Sequence, residues 1–235
     1  MFRSFAIACT LLAQPVHSSG NCAADAMIVF DGSGSMAELG PGIDTPRIFE
    51  ARKAMRRALP QIEPFRNLGL LIYGPGPLDG CSNIELKLMP RAAAAAPILA
   101  EVDQLQPGGM TPIATSVRAA AEALNFRERP STIVLITDGN ETCGGTPCAL
   151  GESLATSAHD LTIHTIGFKI RIDPFSWDTP EQESYERNVT VAKCLSDATG
   201  GTYASTETVE ELVAALNETL GCLLIGRAET NFETG

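Results

Sequence analysis

The residues best suited to chemistry lie in the segment Met27–Met36, where an apolar run leads directly into alternating glycines and polar residues. Asp31, Ser33 and Ser35 are spaced two apart, so one carboxylate and two hydroxyls lie at the end of a predicted strand. Carboxylate and hydroxyl oxygens are the ligands that hard divalent cations prefer in proteins. The segment therefore predicts part of a metal site whose other oxygens come from elsewhere in the chain.

Two later segments can supply the missing oxygens. Thr111 follows the turn at 107–110 and precedes a helix, and Asp138 ends the apolar strand 132–137 and is followed by Gly139. If the sheet is parallel, the strand ends and the following helix starts share one edge, where ligands of open α/β sheets bind. The predicted metal ligands are Asp31, Ser33, Ser35, Thr111 and Asp138.

The elements that position these residues alternate between strand and helix along the chain. This order predicts an α/β three-layer sandwich, a mostly parallel six-stranded sheet with helices on both faces. The segment 84–88 alternates apolar and charged residues, which favours a half-exposed, antiparallel edge strand. We expect strands at 27–30, 68–73, 84–88, 132–137, 161–166 and 202–204, and helices at 46–60, 92–105, after Thr111, and at 148–157, 189–199 and 208–220.

The start of the chain and its composition indicate an exported protein. Residues 1–19 resemble a secretory signal, with Arg3 as the only charge and an apolar stretch too short to span a membrane. We expect one domain over residues 20–222 and a C-terminal tail at 223–235. The formal net charge of −11 and the lack of a basic run argue against nucleic acid and anionic membrane surfaces as partners.

The cysteines also favour an oxidising compartment. Seven are present; Cys9 leaves with the signal, and the remaining six can form three disulfides. A lipoprotein acylated at Cys9 is disfavoured because only eight residues precede it. The predicted pairs are Cys143–Cys148 across a tight turn, Cys22–Cys222 between the two ends of the domain, and Cys81–Cys194 by elimination. A zinc site is disfavoured because cysteine and histidine ligands lack paired spacing apart from Cys143 and Cys148.

The combination of Asp-x-Ser-x-Ser, a distant Thr and a distant Asp-Gly resembles the metal-ion-dependent adhesion site of von Willebrand factor type A (VWA) domains. The resemblance extends over roughly residues 25 to 220, and the cysteine contexts look like those of exported, periplasmic or secreted, bacterial members. It implies a VWA fold and a non-catalytic role, in which a divalent cation presents an open coordination position to a carboxylate of a protein partner. Mg²⁺ is the expected ion, with Mn²⁺ or Ca²⁺ as possible substitutes.

Each ligand also has a plain alternative. Thr111 and Pro112 suit a helix N-cap and first position, the serines suit an ordinary loop, and Asp138-Gly139 suits a turn. Two other functions stay open: a regulatory or assembly subunit of a larger extracytoplasmic complex, and a metal-dependent hydrolase. Other enzyme classes fit poorly. A haloacid-dehalogenase-type phosphotransferase needs a second carboxylate where Ser33 stands, and no nucleophile elbow, P-loop or dinucleotide motif occurs.

One long connection predicts a role in partner choice. Residues 169–188 separate a strand end from the next helix and carry Phe175, Trp177 and Tyr185. Long ordered loops in compact domains are often functional, and this one is expected beside the metal ligands. These aromatic residues are partner-binding candidates, with Trp177 as the anchor; the alternative is that they pack the loop onto its own domain.

Overall fold

A computed structural model of the protein describes residues 24–39, 45–76, 80–169 and 192–221. They contain a six-stranded sheet in the order β3-β2-β1-β4-β5-β6. The strands are β1 (Asp25–Asp31), β2 (Leu68–Tyr73), β3 (Ile84–Arg91), β4 (Ser131–Thr137), β5 (Leu161–Phe168) and β6 (Tyr203–Thr206). Only β3 pairs antiparallel, with β2, so the predicted mixed sheet and its edge strand are confirmed.

Helices cover both faces of the sheet because β1, β2 and β4 are apolar on both sides. The helices are α1 (Arg47–Ile62), α2 (Ala95–Gln104), α3 (Ile113–Ala123), α4 (Pro147–Ser157), α5 (Lys193–Thr199) and α6 (Val209–Leu220). The apolar residues of α1, α2 and α6 pack on one face. Those of α3, α4 and α5 pack on the other, which completes the predicted three-layer sandwich.

The strand order reverses between β1 and β4. Helical crossovers lead from β1 to β2 on one side and from β4 to β5 on the other, so the connections diverge at this pair. The loops that follow β1 and β4 therefore leave a crevice at the carboxyl edge, the edge where the parallel strands end. This crevice is the place that the fold offers for a ligand.

The predicted helix boundaries at Pro60 and at residue 92 are wrong. Pro60 does not end α1, which continues to Ile62. Its exposed ring lies in the last turn, where the missing N–H costs a single hydrogen bond and the final cap from Glu63 N to Leu59 O still forms. Helix α2 begins at Ala95 rather than at residue 92. At this helix start, Ala95 N donates a hydrogen bond of 2.7 Å to the Glu63 carboxylate.

Two predicted disulfides are also wrong. The structure pairs Cys81 with Cys143 and Cys148 with Cys194, which replaces the expected Cys143–Cys148 and Cys81–Cys194 pairs. Cys81 and Cys143 lie in the loops after β2 and β4, which meet at the carboxyl edge. Cys148 lies in the first turn of α4, which packs so closely on α5 that a Cβ on Gly151 would lie 3.2 Å from Cys194 O. Packing between distant elements, and not the short spacing in sequence, decides the pairing.

Several predictions fall outside the described residues. These are the signal at 1–19, the Cys22–Cys222 pair, the tail at 223–235, and the aromatic residues Phe175, Trp177 and Tyr185. Within the described ranges, no helix has both the length and the apolar character needed to cross a membrane.

Candidate metal site

Asp31 is the most firmly held of the predicted ligands. It ends β1, is fully buried, and accepts three hydrogen bonds: 2.8 Å from its neighbour Ser33 N, 2.8 Å from Tyr73 Oη and 2.7 Å from Thr137 Oγ1. Tyr73 and Thr137 end the strands on either side of β1, so the sheet itself orients this carboxylate. Burial and the nearby Asp31 charge raise the pKa of Tyr73 well above its usual value, which keeps it a donor.

The two serines connect the loop after β1 to the loop after β4. The Ser33 and Ser35 hydroxyls are 3.1 Å apart, and Ser35 Oγ donates to Asp138 Oδ1 over 2.6 Å. A short 3-10 helix, Gly34–Ala37, follows Ser33, whose side chain does not cap it. The two serine hydroxyls and the Asp138 carboxylate therefore form one hydrogen-bonded chain between the two loops.

Thr111 reaches this crevice through its backbone. Gly108 N donates to Gly32 O over 2.9 Å, and Gly34 N donates to Gly109 O over 3.2 Å, so the segment before Thr111 lies against the serine loop. The predicted N-cap is not observed, because α3 begins at Ile113 with Pro112 as its N-cap residue. The Thr111 side chain is thus not used to cap α3, and the two backbone hydrogen bonds bring the segment that precedes Thr111 against the serine loop.

A close backbone approach shapes the same crevice. Gly74, just after β2, has a φ of +102°, and a Cβ at this position would lie 2.4 Å from Ser33 N. Only glycine tolerates both the left-handed backbone and this distance. The turn after β2 therefore supports the backbone of the serine loop directly.

The electrostatics of the crevice favour a bound cation. Asp31 is fully buried and Asp138 is 3% exposed. Burial, together with the charge of Asp31, raises the pKa of Asp138 to about 7, against the opposing effects of Ser35 and Arg47. Two carboxylates held together out of water are stabilised by a positive charge between them. The donor set of carboxylates and hydroxyls therefore suits a hard divalent cation.

Softer metals suit the described residues poorly. Among them, no three His, Cys, Asp or Glu side chains form a cluster that could hold a metal. Four of the cysteines are used in the two disulfides. His164 accepts a hydrogen bond of 3.0 Å from Thr202 N at Nδ1, and burial with the nearby Arg66 charge lowers its pKa to about 4. It is a structural residue in the middle of β5, where it pairs with Val134 of β4.

Sequence reasoning missed one residue that contacts the predicted ligands directly. Arg47, the first residue of α1, is 1% exposed. Its Nη1 donates to Ser35 O over 2.8 Å and to Asp138 Oδ2 over 3.2 Å. Its position before the apolar stripe of α1 gave no signal, because a charged residue at a helix start is normally solvated.

A second missed group connects Thr111 to the loop after β4. Thr111 N donates to Thr142 Oγ1 over 2.8 Å, and Thr142 N donates to Thr111 O over 3.1 Å. The Glu141 carboxylate accepts from Ala114 N over 2.9 Å and from Cys143 N over 2.8 Å, which supplies a cap for α3 from a distant loop. The Cys81–Cys143 disulfide fastens the same loop to the β2–β3 connection.

Comparison with known proteins agrees with this geometry. Residues 26–141 match a family model described as von Willebrand factor type A domain. The chain belongs to the von Willebrand factor type A family. It is 31% identical over 155 residues to the uncharacterized protein YwmD of Bacillus subtilis (strain 168), an alignment covering 62% of this chain and 68% of YwmD. The predicted membership of the VWA family is confirmed.

Solved structures share the same fold. A von Willebrand factor type A structure from Catenulispora acidiphila has a TM-score of 0.57 at 18% identity, covering 84% of this chain and 42% of that one. The pilus adhesin SpaC from Lactobacillus rhamnosus GG has a TM-score of 0.59 at 16% identity, covering 83% of this chain and 29% of SpaC. At these identities the likeness concerns the fold, and this chain matches only part of each structure.

Proposed function

We propose that this VWA domain binds one divalent cation, with Mg²⁺ as the expected ion. The ligands are Asp31, Ser33, Ser35, Thr111 and Asp138. The observation that carries the proposal is the hydrogen-bonded line from Ser33 to Ser35 to Asp138, at the reversal point of the sheet. It aligns oxygens from two loops that are more than a hundred residues apart, beside a second buried carboxylate.

The protein residues would hold the cation with few charges. Asp31 and Asp138 are the only carboxylates of the set, and the three hydroxyls are neutral. Such a cation keeps positive character and offers a coordination position to an outside oxygen. The function we propose is therefore the binding of a protein partner through an acidic side chain, as in an adhesion-type VWA domain, with no catalysis.

An extracytoplasmic location completes the proposal. The described residues include two disulfides between distant elements, and such bonds persist in secreted and periplasmic compartments. The signal-like residues 1–19 and the pilus adhesin among the structures of similar fold favour the same setting. A role as an assembly subunit of a larger complex uses the same site and differs only in the partner.

Titration calorimetry with Mg²⁺ and Mn²⁺ tests the cation site. We expect saturable binding by the wild type and a loss of about thirtyfold or more in D138N, which removes one charge from the cation. D103N is the matched control, because Asp103 is a partly exposed carboxylate that pairs with Arg56 away from the crevice. Equal binding by all three proteins would refute the site.

Two further measurements test the partner and the absence of catalysis. Partner capture from the native organism should require Mg²⁺, disappear with EDTA and in D138N, and persist in D103N. Capture that is indifferent to EDTA would contradict the proposed use of the cation. Turnover of phosphoester or peptide substrates that is lost in D31A would instead favour the hydrolase.

A further inference from the structure

We infer that Arg47 sets the charge of the cation site: it weakens cation binding and thereby leaves the bound cation positive enough to attract a carboxylate. The inference rests on the proposed function and concerns how that site selects its ligand. Its basis is the contact of a fully buried guanidinium with Asp138, one of the five proposed ligands.

The hydrogen bonds that Arg47 makes do not require a positively charged donor. Only Nη1 donates, to Ser35 O and Asp138 Oδ2. Nε and Nη2 are buried and find no acceptor among the residues that the structure describes. A buried guanidinium with such incomplete compensation is costly, and a neutral donor would serve the same two acceptors. The positive charge itself therefore calls for an explanation.

Charge counting supplies that explanation. Metal-bound carboxylates are ionised, so the buried charges, Asp31 and Asp138 against Arg47, leave one net negative charge in the crevice. The nearby Glu38 carboxylate is exposed, so solvent screens its charge and it adds only a small further contribution. A dication then makes the loaded site positive by one charge. Without the guanidinium the same ligands would neutralise the dication completely, which would tighten its binding and remove its attraction for an outside carboxylate.

The two effects have opposite signs, which separates them from a purely structural role. If Arg47 only fixes the serine loop and Asp138, its replacement disorders the ligands and weakens the binding of both cation and carboxylate. If it sets the charge, R47Q binds the cation more tightly and a carboxylate more weakly. R47K keeps the charge and should stay close to the wild type in both.

The experiment is calorimetry with Mn²⁺, followed by acetate titration of the Mn²⁺-loaded protein, read from water-proton relaxation as acetate displaces metal-bound water. We expect R47Q to bind Mn²⁺ on the order of tenfold more tightly and acetate several-fold more weakly than the wild type. R52Q is the matched control, because Arg52 lies in the same helix, is also buried, and donates to Val102 O and Leu105 O instead.

The outcomes are distinguishable. A wild type that binds no Mn²⁺ refutes the proposed function; a wild type that binds it while R47Q binds it equally or more weakly refutes only the role of Arg47. If R47Q does not fold, E38Q decides, since Glu38 is exposed and its carboxylate lies 3.8 Å from Arg47 Nη1. Removing the negative charge of Glu38 should weaken Mn²⁺ binding and strengthen acetate binding, by roughly twofold each. Unchanged affinities in E38Q would overturn the inference.

Discussion

The disulfide between Cys81 and Cys143 allows the geometry of the proposed site to be separated from the stability of the fold. Cys143 directly follows Thr142, whose backbone and hydroxyl hold Thr111 beside the serine loop. We predict that C81A/C143A loosens this loop and weakens cation binding about tenfold, an energy near 1.4 kcal/mol. The Cys148–Cys194 disulfide instead joins α4 to α5.

The two disulfides make a matched pair for stability. Their cysteines are 62 and 46 residues apart in sequence. The chain-entropy relation gives about 4 kcal/mol of stabilisation for each, because loop length enters only as a logarithm. C148A/C194A should therefore lower the free energy of unfolding as much as C81A/C143A does.

Urea denaturation and Mn²⁺ calorimetry of the two double variants give the answer. We expect similar losses of stability and a loss of cation affinity in C81A/C143A alone. A wild-type cation affinity in both variants would show that the loop after β4 does not position Thr111. An equal loss of affinity in both variants would reflect general destabilisation and would also contradict the prediction.

Three further predictions concern single positions. G74A should lower the free energy of unfolding by more than about 2 kcal/mol and weaken Mn²⁺ binding, because the added Cβ clashes with Ser33 N. Its control G144A also has a positive φ, +74°, but open space around it, so urea denaturation should show a loss of only about 1 kcal/mol. The pKa of His164 is about 4 in the folded protein and about 6.5 when unfolded, so the unfolded chain binds the proton more readily. As the pH falls from 6.5 to 4, the free energy of unfolding of the wild type should therefore fall by about 1–3 kcal/mol relative to that of H164Q. T208A removes the capping box of α6 and should cost about 1 kcal/mol by thermal unfolding, without changing cation affinity.

The central sheet could be predicted from sequence because the local pattern of apolar residues indicates each of its main strands. β1, β2 and β4 are continuous apolar runs followed by glycine or aspartate, and β3 alternates apolar and charged residues. The positions of Asp31 and Asp138 at strand ends then follow from the parallel pairing alone. Strand periodicity and one topological rule thus suffice to bring two of the proposed ligands together.

The supporting residues could not be predicted because their contacts are long-range. Arg47 reaches Asp138 across 91 residues, and nothing in its local sequence distinguishes it from a solvated helix start. The contact of Tyr73 with Asp31 could have been predicted, since Tyr73 ends β2 opposite Asp31 in the parallel register. The disulfides depend on which loops and helices pack, so spacing in sequence gave the wrong pairs for Cys81, Cys143, Cys148 and Cys194.

Anomalous diffraction from crystals of the full chain grown with Mn²⁺ would locate the bound cation. We predict one strong manganese peak at the carboxyl edge of the sheet, in contact with the hydroxyls of Ser33, Ser35 and Thr111 and within reach of Asp31 and Asp138. The same crystals of D138N should show a much weaker peak. A manganese peak elsewhere on the molecule, or none at this edge at saturating Mn²⁺, would mean that these five residues do not bind the cation.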